Sequence, residues 1–359
     1  MPQPILYTAV TNHGFGHATR TASIVAEVQR LDPDILVMMA TTAPRWLLES
    51  YISGDFIHRP RAFDVGILQT DSITMDKAAT LDKLKHIRSQ ARSIVASEAT
   101  FLRQNRVGLV LADIPPLAAP IAHAADLPCW MVSNFGWDYI YRAWGGEFVE
   151  IADWIAECFG QCDRLFRLPF HESMSAFPQI TDVGLTGGSP RFPLDEVRSR
   201  FGLNRPIEQT ALLTFGGLGL AAIPYHNLAN FPDWQFMTFD RSAPDLPHLV
   251  KITDSRYRPV DLMPLCDRVV SKPGFSTFAE ACRQKTGIVS ITRSDFAEAA
   301  LLIDGIRTYA RHRIVEPAEF FEGNWSFLPE ALLPPQSNLP IATDGNRTIA
   351  AAIVNYLHA

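Results

Sequence analysis

The chain opens on an apolar run, Pro4 to Val10, and from Thr21 to Gln29 its apolar residues recur at helical spacing. The first predicts a buried strand and the second a helix. The stretch between them, T-N-H-G-F-G-H-A-T-R from Thr11 to Arg20, is therefore a strand-to-helix turn. The alternation continues: Ile35 to Ala40 reads as a strand, Pro44 to Tyr51 as a helix, Asp64 to Thr74 as a polar loop, and Met75 to Gln104 as a long charged helix. Val107 to Leu111 is a strand that runs into Asp113-Ile114-Pro115-Pro116. Prolines stop a ladder, which puts Asp113 in a loop at a strand's C-terminal end, where open α/β sheets take their ligands. A helix through Ile121 to Ala125, a strand from Pro128 to Val132, a helix from Trp144 to Cys158 and a strand from Leu165 to Leu168 follow. Short apolar runs alternating with helical segments predict a mostly parallel sheet covered on both faces.

Pro169 to Pro193 is rich in Pro, Gly and Ser and reads as a linker, after which the pattern restarts. Strands are expected at Gln209 to Phe215, Trp234 to Thr238, Leu249 to Ile252, Arg268 to Ser271 and Gly287 to Ile291. Helices are expected at Phe278 to Gln284, Phe296 to Ile306 and Ile349 to Tyr356. The expected fold class is α/β, with two Rossmann-like domains facing across a cleft. The first spans 1–180, a linker 181–195 and the second 196–343, with 344–359 as a last helix packing back on the first domain.

A length of 359 residues suits two domains, and 47% hydrophobic against 19% charged residues favours a large core over disorder. A net charge of −6 without basic runs leaves no footprint for nucleic acid. No apolar stretch reaches the length of a membrane span and no leader-like start is visible, so a cytoplasmic protein of open oligomeric state is expected. The five cysteines are odd in number and sit mostly in apolar segments, as structural thiols do; no metal site is expected.

The candidate chemistry gathers at turns. A strand-to-helix turn offers free backbone N–H groups at the positive end of a helix, a seat for phosphate or carboxylate. Gly14 and Gly16 let backbone approach a ligand, and His13 and His17 add two titratable rings. The third glycine of G-x-G-x-x-G is missing and the next strand ends in Thr41-Thr42 without an acid for a ribose, which argues against NAD or FAD. No G-x-x-x-x-G-K-[ST] occurs, which argues against a P-loop enzyme. In Ser133 to Tyr139, Asn134, Trp137, Asp138 and Tyr139 can line a sugar or base pocket along with Asp113, with Trp137 and Tyr139 as core residues the competing reading. The second half carries two more glycine turns, one with Gly216 and Gly217 and one with Ser271, Lys272, Gly274, Ser276 and Thr277. Glu280, one helical turn beyond Ser276, can accept both hydroxyls of a ribose. Asp295 and Glu298, at the start of a helix on the same edge, can hold sugar hydroxyls or serve simply as N-terminal helix carboxylates.

Four ordered words, N-H-G-F-G-H-A-T-R (Asn12 to Arg20), S-N-F-G-W-D-Y-I-Y (Ser133 to Tyr141), R-L-P (Arg167 to Pro169) and S-K-P-G-F-S-T-F-A-E-A (Ser271 to Ala281), span nearly the whole chain. In them the sequence resembles glycosyltransferases of the two-Rossmann, or GT-B, fold. In particular it is similar to the glycosyltransferase-like N-terminal region of plant-type L-arabinokinases and their bacterial stand-alone relatives. No phosphate-binding motif of the kinase portion is present, so sugar kinase activity is not implied.

The resemblance implies that Ser271 to Glu280 bind a nucleotide-diphosphate sugar, UDP-sugar favoured, as a small-molecule co-substrate with no further cofactor. Glu280 then holds the ribose, Gly216 and Gly217 lie near the diphosphate, and Gly14, Gly16 and His17 form the acceptor-side wall. The implied reaction is metal-independent, inverting transfer to an unidentified acceptor. His17 or Asp138 supplies the base; His17 is preferred because imidazole titrates near neutrality, and it can alternatively bind phosphate. An epimerase or hydrolase of nucleotide sugars and a non-catalytic nucleotide-sugar sensor are the competing functions.

Overall fold

The computed structural model describes residues 3–69, 74–216, 220 and 223–359. They form two compact units, one of 3–69, 74–187 and 342–359 and the other within 188–341.

The first unit runs β1 (Ile5–Val10), α1 (Gly16–Leu31), β2 (Leu36–Ala40), α2 (Arg45–Glu49), β3 (Ile57–Arg59), α3 (Lys77–Gln104) and β4 (Leu109–Asp113). It continues with α4 (Ala118–Ala124), β5 (Cys129–Ser133), α5 (Trp137–Trp144), α6 (Phe148–Phe159), β6 (Arg164–Arg167) and β7 (Ile180–Asp182). The strands make a 7-stranded parallel sheet in the order β3-β2-β1-β4-β5-β6-β7. The central strands β4 and β5 are buried along their whole length, as a sheet covered on both faces requires.

The second unit runs α7 (Leu194–Phe201), β8 (Thr210–Leu213), β9 (Gln235–Thr238), β10 (Leu249–Lys251), α8 (Pro259–Leu262), β11 (Arg268–Ser271) and α9 (Phe275–Gln284). Then come β12 (Gly287–Ile291), α10 (Glu298–Tyr309), β13 (His312–Val315) and α11 (Pro317–Phe321). Its 6-stranded parallel sheet has the order β10-β9-β8-β11-β12-β13. Phe320, Trp325, Phe327 and Leu328 are buried in the core of this unit. The chain then re-enters the first unit, where α12 (Gly345–Leu357) packs along α1. No helix among the described residues is long and apolar enough to cross a membrane.

Several elements differ from the sequence expectation. The short strands β3, β7 and β13 went unread, and β7 falls inside the stretch read as linker. The helix expected over Trp144 to Cys158 is α6, which starts only at Phe148, and a separate helix α5 precedes it, because Gly145 and Gly146 both adopt positive φ, 69° and 57°, and break the ladder between them. Asp113 is no loop residue: it is the last residue of β4, in register with Val10, and its carbonyl accepts the Thr11 N–H at 3.1 Å. Glu298 starts α10, which leaves Asp295 in the preceding loop and exposed.

Both sheets reverse direction of growth in the middle. The reversal falls between β1 and β4 in the first unit and between β8 and β11 in the second. Open α/β sheets bind ligands at such switch points, beyond the C-terminal strand ends.

Candidate functional site

At the first switch point the turn after β1 delivers His17 as the second residue of α1, and β4 delivers Asp113 opposite it. His17 is 7% exposed and Asp113 is fully buried, with Nδ1 of the imidazole 2.7 Å from Oδ1 of the carboxylate. Arg20, one helical turn beyond His17, donates from Nε to Asp113 Oδ2 at 2.6 Å and from one terminal nitrogen to Asp113 Oδ1 at 2.6 Å and Ser133 Oγ at 3.1 Å. Its other terminal nitrogen donates to Asn134 Oδ1 at 2.9 Å, and the Thr21 hydroxyl adds a 3.0 Å bond to Asp113 Oδ2. Burial pushes the Asp113 carboxyl up, but the Arg20 and His17 charges outweigh it and hold its pKa down at about 2.

This geometry fixes a tautomer. Asp113 is an acceptor, and the Arg20 nitrogen 2.9 Å from His17 Nδ1 directs its two hydrogens to Asp113 and Ser133. The proton on Nδ1 therefore belongs to His17 and points at Asp113, which leaves Nε2 as the basic nitrogen. No hydrogen bond to Nε2 occurs among the described residues. An oriented imidazole with a carboxylate on its far nitrogen is the arrangement of a general base.

Asp113, expected on a sugar-pocket wall, is thus a group behind the imidazole, with both oxygens occupied. Asn134 is fully buried as the Arg20 partner. Trp137 is 1% exposed; its indole Nε1–H donates to Thr11 Oγ1 at 2.9 Å and its ring stacks on Tyr141 with centroids 5.6 Å apart. Its edge meets His13 at 5.2 Å and Phe135 at 5.2 Å, and Phe135 meets His17 at 5.7 Å, so the imidazoles stand on an aromatic floor. Asp138 belongs elsewhere. Its Oδ1 lies over Gly136, where a Cβ would come within 2.1 Å of it, and has no hydrogen-bond partner among the described residues. Burial and the neighbouring Glu172 push its pKa up to about 6. The charged groups acting on it are Glu172 and Arg142, and the carboxylate that pairs with His17 is Asp113. Tyr139 is half-buried beside the same Glu172. Gly14 is exposed at φ 60° and Gly16 opens α1.

At the second switch point Gly216 is exposed with φ 81°, three residues past β8, and Gly217 lies outside the described residues. Lys272 follows β11 and crosses to it: a Cβ at Gly216 would stand 3.7 Å from Lys272 Cε. Lys272 is half-buried; burial and the charge of Arg293 push its pKa down to about 8 against the opposing pull of Glu298. Gly274 is the extended N-cap of α9, which places Ser276 and Thr277 in that helix's first turn, both half-buried. The Ser271 hydroxyl turns back to the Lys272 carbonyl at 3.0 Å. Glu280 is 3% exposed and its Oε1 accepts the Gly188 N–H at 2.9 Å, so it anchors the entry of the chain into this unit. Asp295 belongs to the loop after β12, while Glu298 is buried and acts on Lys272.

The sequence reading missed the roles of Arg20, Thr11, Asp64, Glu172 and Arg293. Only Arg20 left a trace, since a position three residues after His17 shares its helix face.

No family model matches the sequence. Over 331 residues the chain is 28% identical to the L-arabinokinase of Arabidopsis thaliana, a match that covers 88% of this chain. It spans only 31% of that protein's length. Among solved structures, it superposes on a Polygonum tinctorium UDP-glucosyltransferase capable of glucosylating indoxyl with a TM-score of 0.61 at 12% identity, over 100% of both chains. The calicheamicin glycosyltransferase gives 0.60 at 14%, over 99% of this chain and 95% of that one. Medicago truncatula UGT71G1, complexed with UDP-glucose, gives 0.57 at 13%, over 98% and 94%. The fold is that of the GT-B glycosyltransferases.

Proposed function

We propose that this chain transfers a sugar from a nucleotide-diphosphate sugar, with UDP as the favoured nucleotide, to the hydroxyl of a small-molecule acceptor. The observation that carries the reading is the His17–Asp113 pair, whose Nδ1 is held and whose Nε2 is left to accept a proton. In the reaction His17 Nε2 takes the acceptor's hydroxyl proton as that oxygen bonds to the anomeric carbon. The bond from that carbon to the diphosphate oxygen breaks, and the electron pair leaves with the nucleoside diphosphate. Attack opposite the leaving group inverts the anomeric centre. Asp113 stabilises the imidazolium that forms, and Arg20 keeps Asp113 ionised and in place.

The leaving diphosphate needs positive potential at the moment the bond breaks. The exposed backbone at Gly216, the N-terminal turn of α9 at Gly274, Ser276 and Thr277, and the Lys272 ammonium supply it in this reading, without a metal ion or other cofactor. Two further observations support this role: the second glycine turn sits at a switch point, and the structural relatives include UDP-glucose and UDP complexes.

A thermal-shift screen against UDP, GDP, ADP, dTDP and their common sugars tests the donor side, since a ligand bound only by the folded chain raises Tm. A selective rise with UDP is expected. His17→Ala keeps that rise and loses turnover by about 10²- to 10⁴-fold. A His17→Ala protein that transfers sugar at the native rate would remove the imidazole from the mechanism.

A further inference from the structure

The loop between β3 and α3 carries a buried carboxylate that the mechanism above does not use. Asp64 is 7% exposed. Its Oδ1 accepts the Asn12 N–H at 2.8 Å, and its Oδ2 accepts the Thr11 hydroxyl. Because Thr11 Oγ1 also receives the Trp137 indole N–H at 2.9 Å and has a single hydrogen to give, the direction is set: Trp137 donates to Thr11, and Thr11 to Asp64. The next residues of the loop close on the same turn. Gly66 has φ 60°, and a Cβ there would stand 2.6 Å from His13 Cβ. The Gly66 carbonyl accepts the Tyr141 hydroxyl at 2.5 Å, and the Ile67 N–H donates to His13 Nδ1 at 3.3 Å.

Holding a carboxylate here is costly. Its donors are the Thr11 hydroxyl and the Asn12 amide, with the Trp137 indole N–H acting on it as well and no cation hydrogen-bonded to it among the described residues. The ionisable groups that act on it or feel its charge are Asp113 on β4 and Tyr141 on α5, with His13 and His17 following in the turn and α1. Burial pushes the Asp64 pKa up to about 7, and the Asp113 charge adds to the rise. A carboxyl group buried at that cost and held by two donors of the His13–His17 turn is a candidate for positioning that turn.

We propose that Asp64 is the positioning residue of the His13–His17 turn, fixing through Thr11 and Asn12 where the two imidazoles stand against Trp137. Its consequence for turnover rests on the reading of His17 as the base; its consequence for geometry does not. Asp64 touches neither ring itself, and acts by clamping the two residues that precede His13.

The test uses the full chain labelled with 15N at histidine and tryptophan side chains. Thr11→Val keeps the shape of the side chain and removes the hydroxyl, Thr11→Ser keeps the hydroxyl, and Asp64→Asn removes the charge. The ring signals of His13 and His17, assigned by His→Gln substitutions, shift in Thr11→Val and Asp64→Asn and return in Thr11→Ser. With UDP-glucose as the probe donor, kcat of Thr11→Val falls about 10- to 100-fold while KM for the donor stays within about twofold, as expected for a displaced catalytic group. Histidine signals of Thr11→Val that superpose on those of the native chain would overturn the inference, as would a Thr11→Ser protein that fails to recover them. If Asp64→Asn does not fold, the two Thr11 variants decide alone. A native protein that turns over no nucleotide sugar leaves the histidine signals to decide, and only the proposed function falls.

Discussion

The two switch points share a topology and differ in how their charge is arranged. At the first, Asp113 is wrapped by Arg20, His17 and Thr21, and Arg20 reaches on to Ser133 and Asn134. At the second, a half-buried Lys272 crosses an exposed glycine, with Arg293 acting on it as a like charge and the buried Glu298 as an opposite one. The first site is a closed network around one carboxylate. The second sets a cation with a lowered pKa beside exposed backbone, which suits the anionic ligand of the proposed function.

Removing a charge should therefore damage the two sites in opposite ways. The largest effect is expected for Asp113→Ala, which strands Arg20 in a site where it is 1% exposed. Breaking a buried pair in this way costs about 3–5 kcal/mol, and denaturant unfolding should show it along with loss of turnover. Lys272→Met leaves stability nearly unchanged and weakens UDP binding about 10- to 100-fold in titration calorimetry, the loss of one charge-assisted contact.

The pH dependences separate the sites as well. The Asp113 pKa is depressed to about 2 in the folded chain, so its stabilisation is complete above the unfolded value of about 4 and is lost as pH falls from there toward 2. Lys272 behaves as a cation with a lowered pKa: it loses its proton as pH rises past about 8, and UDP affinity should fall there and become flat in Lys272→Met. The smallest effect is Gly216→Ala. It imposes φ 81° on a residue with a Cβ and is expected to cost about 1 kcal/mol, with little change in the first unit's histidine signals.

How much of this was legible in the sequence follows from the range of each interaction. Strands such as β4 and β5, apolar up to their last residue, announce themselves. The edge strands β3 and β7, three residues each and partly exposed, do not, because burial writes no pattern into them. The turns were legible too, since glycine and histidine at a strand end are a local signal. What joins them is not local. Arg20 meets Asp113 across 93 positions, Thr11 meets Asp64 across 53, and Trp137 meets Thr11 across 126. A sequence shows both members of each pair and says nothing of their meeting. That is why Asp138, next to an aromatic word, stands in the sequence as the alternative base to His17, while Asp113 at the end of an apolar strand gives no sign that it stands behind the imidazole.

The return of α12 to α1 has a consequence during synthesis. A ribosome makes 1–187 first, then all of the second unit, and only afterwards the segment that covers α1. Until then the helix that carries His17 has one flank without its partner. The second unit can mature while the first waits, so a stalled or truncated product ending near 341 would present a finished second unit and a first unit still lacking the helix that covers α1.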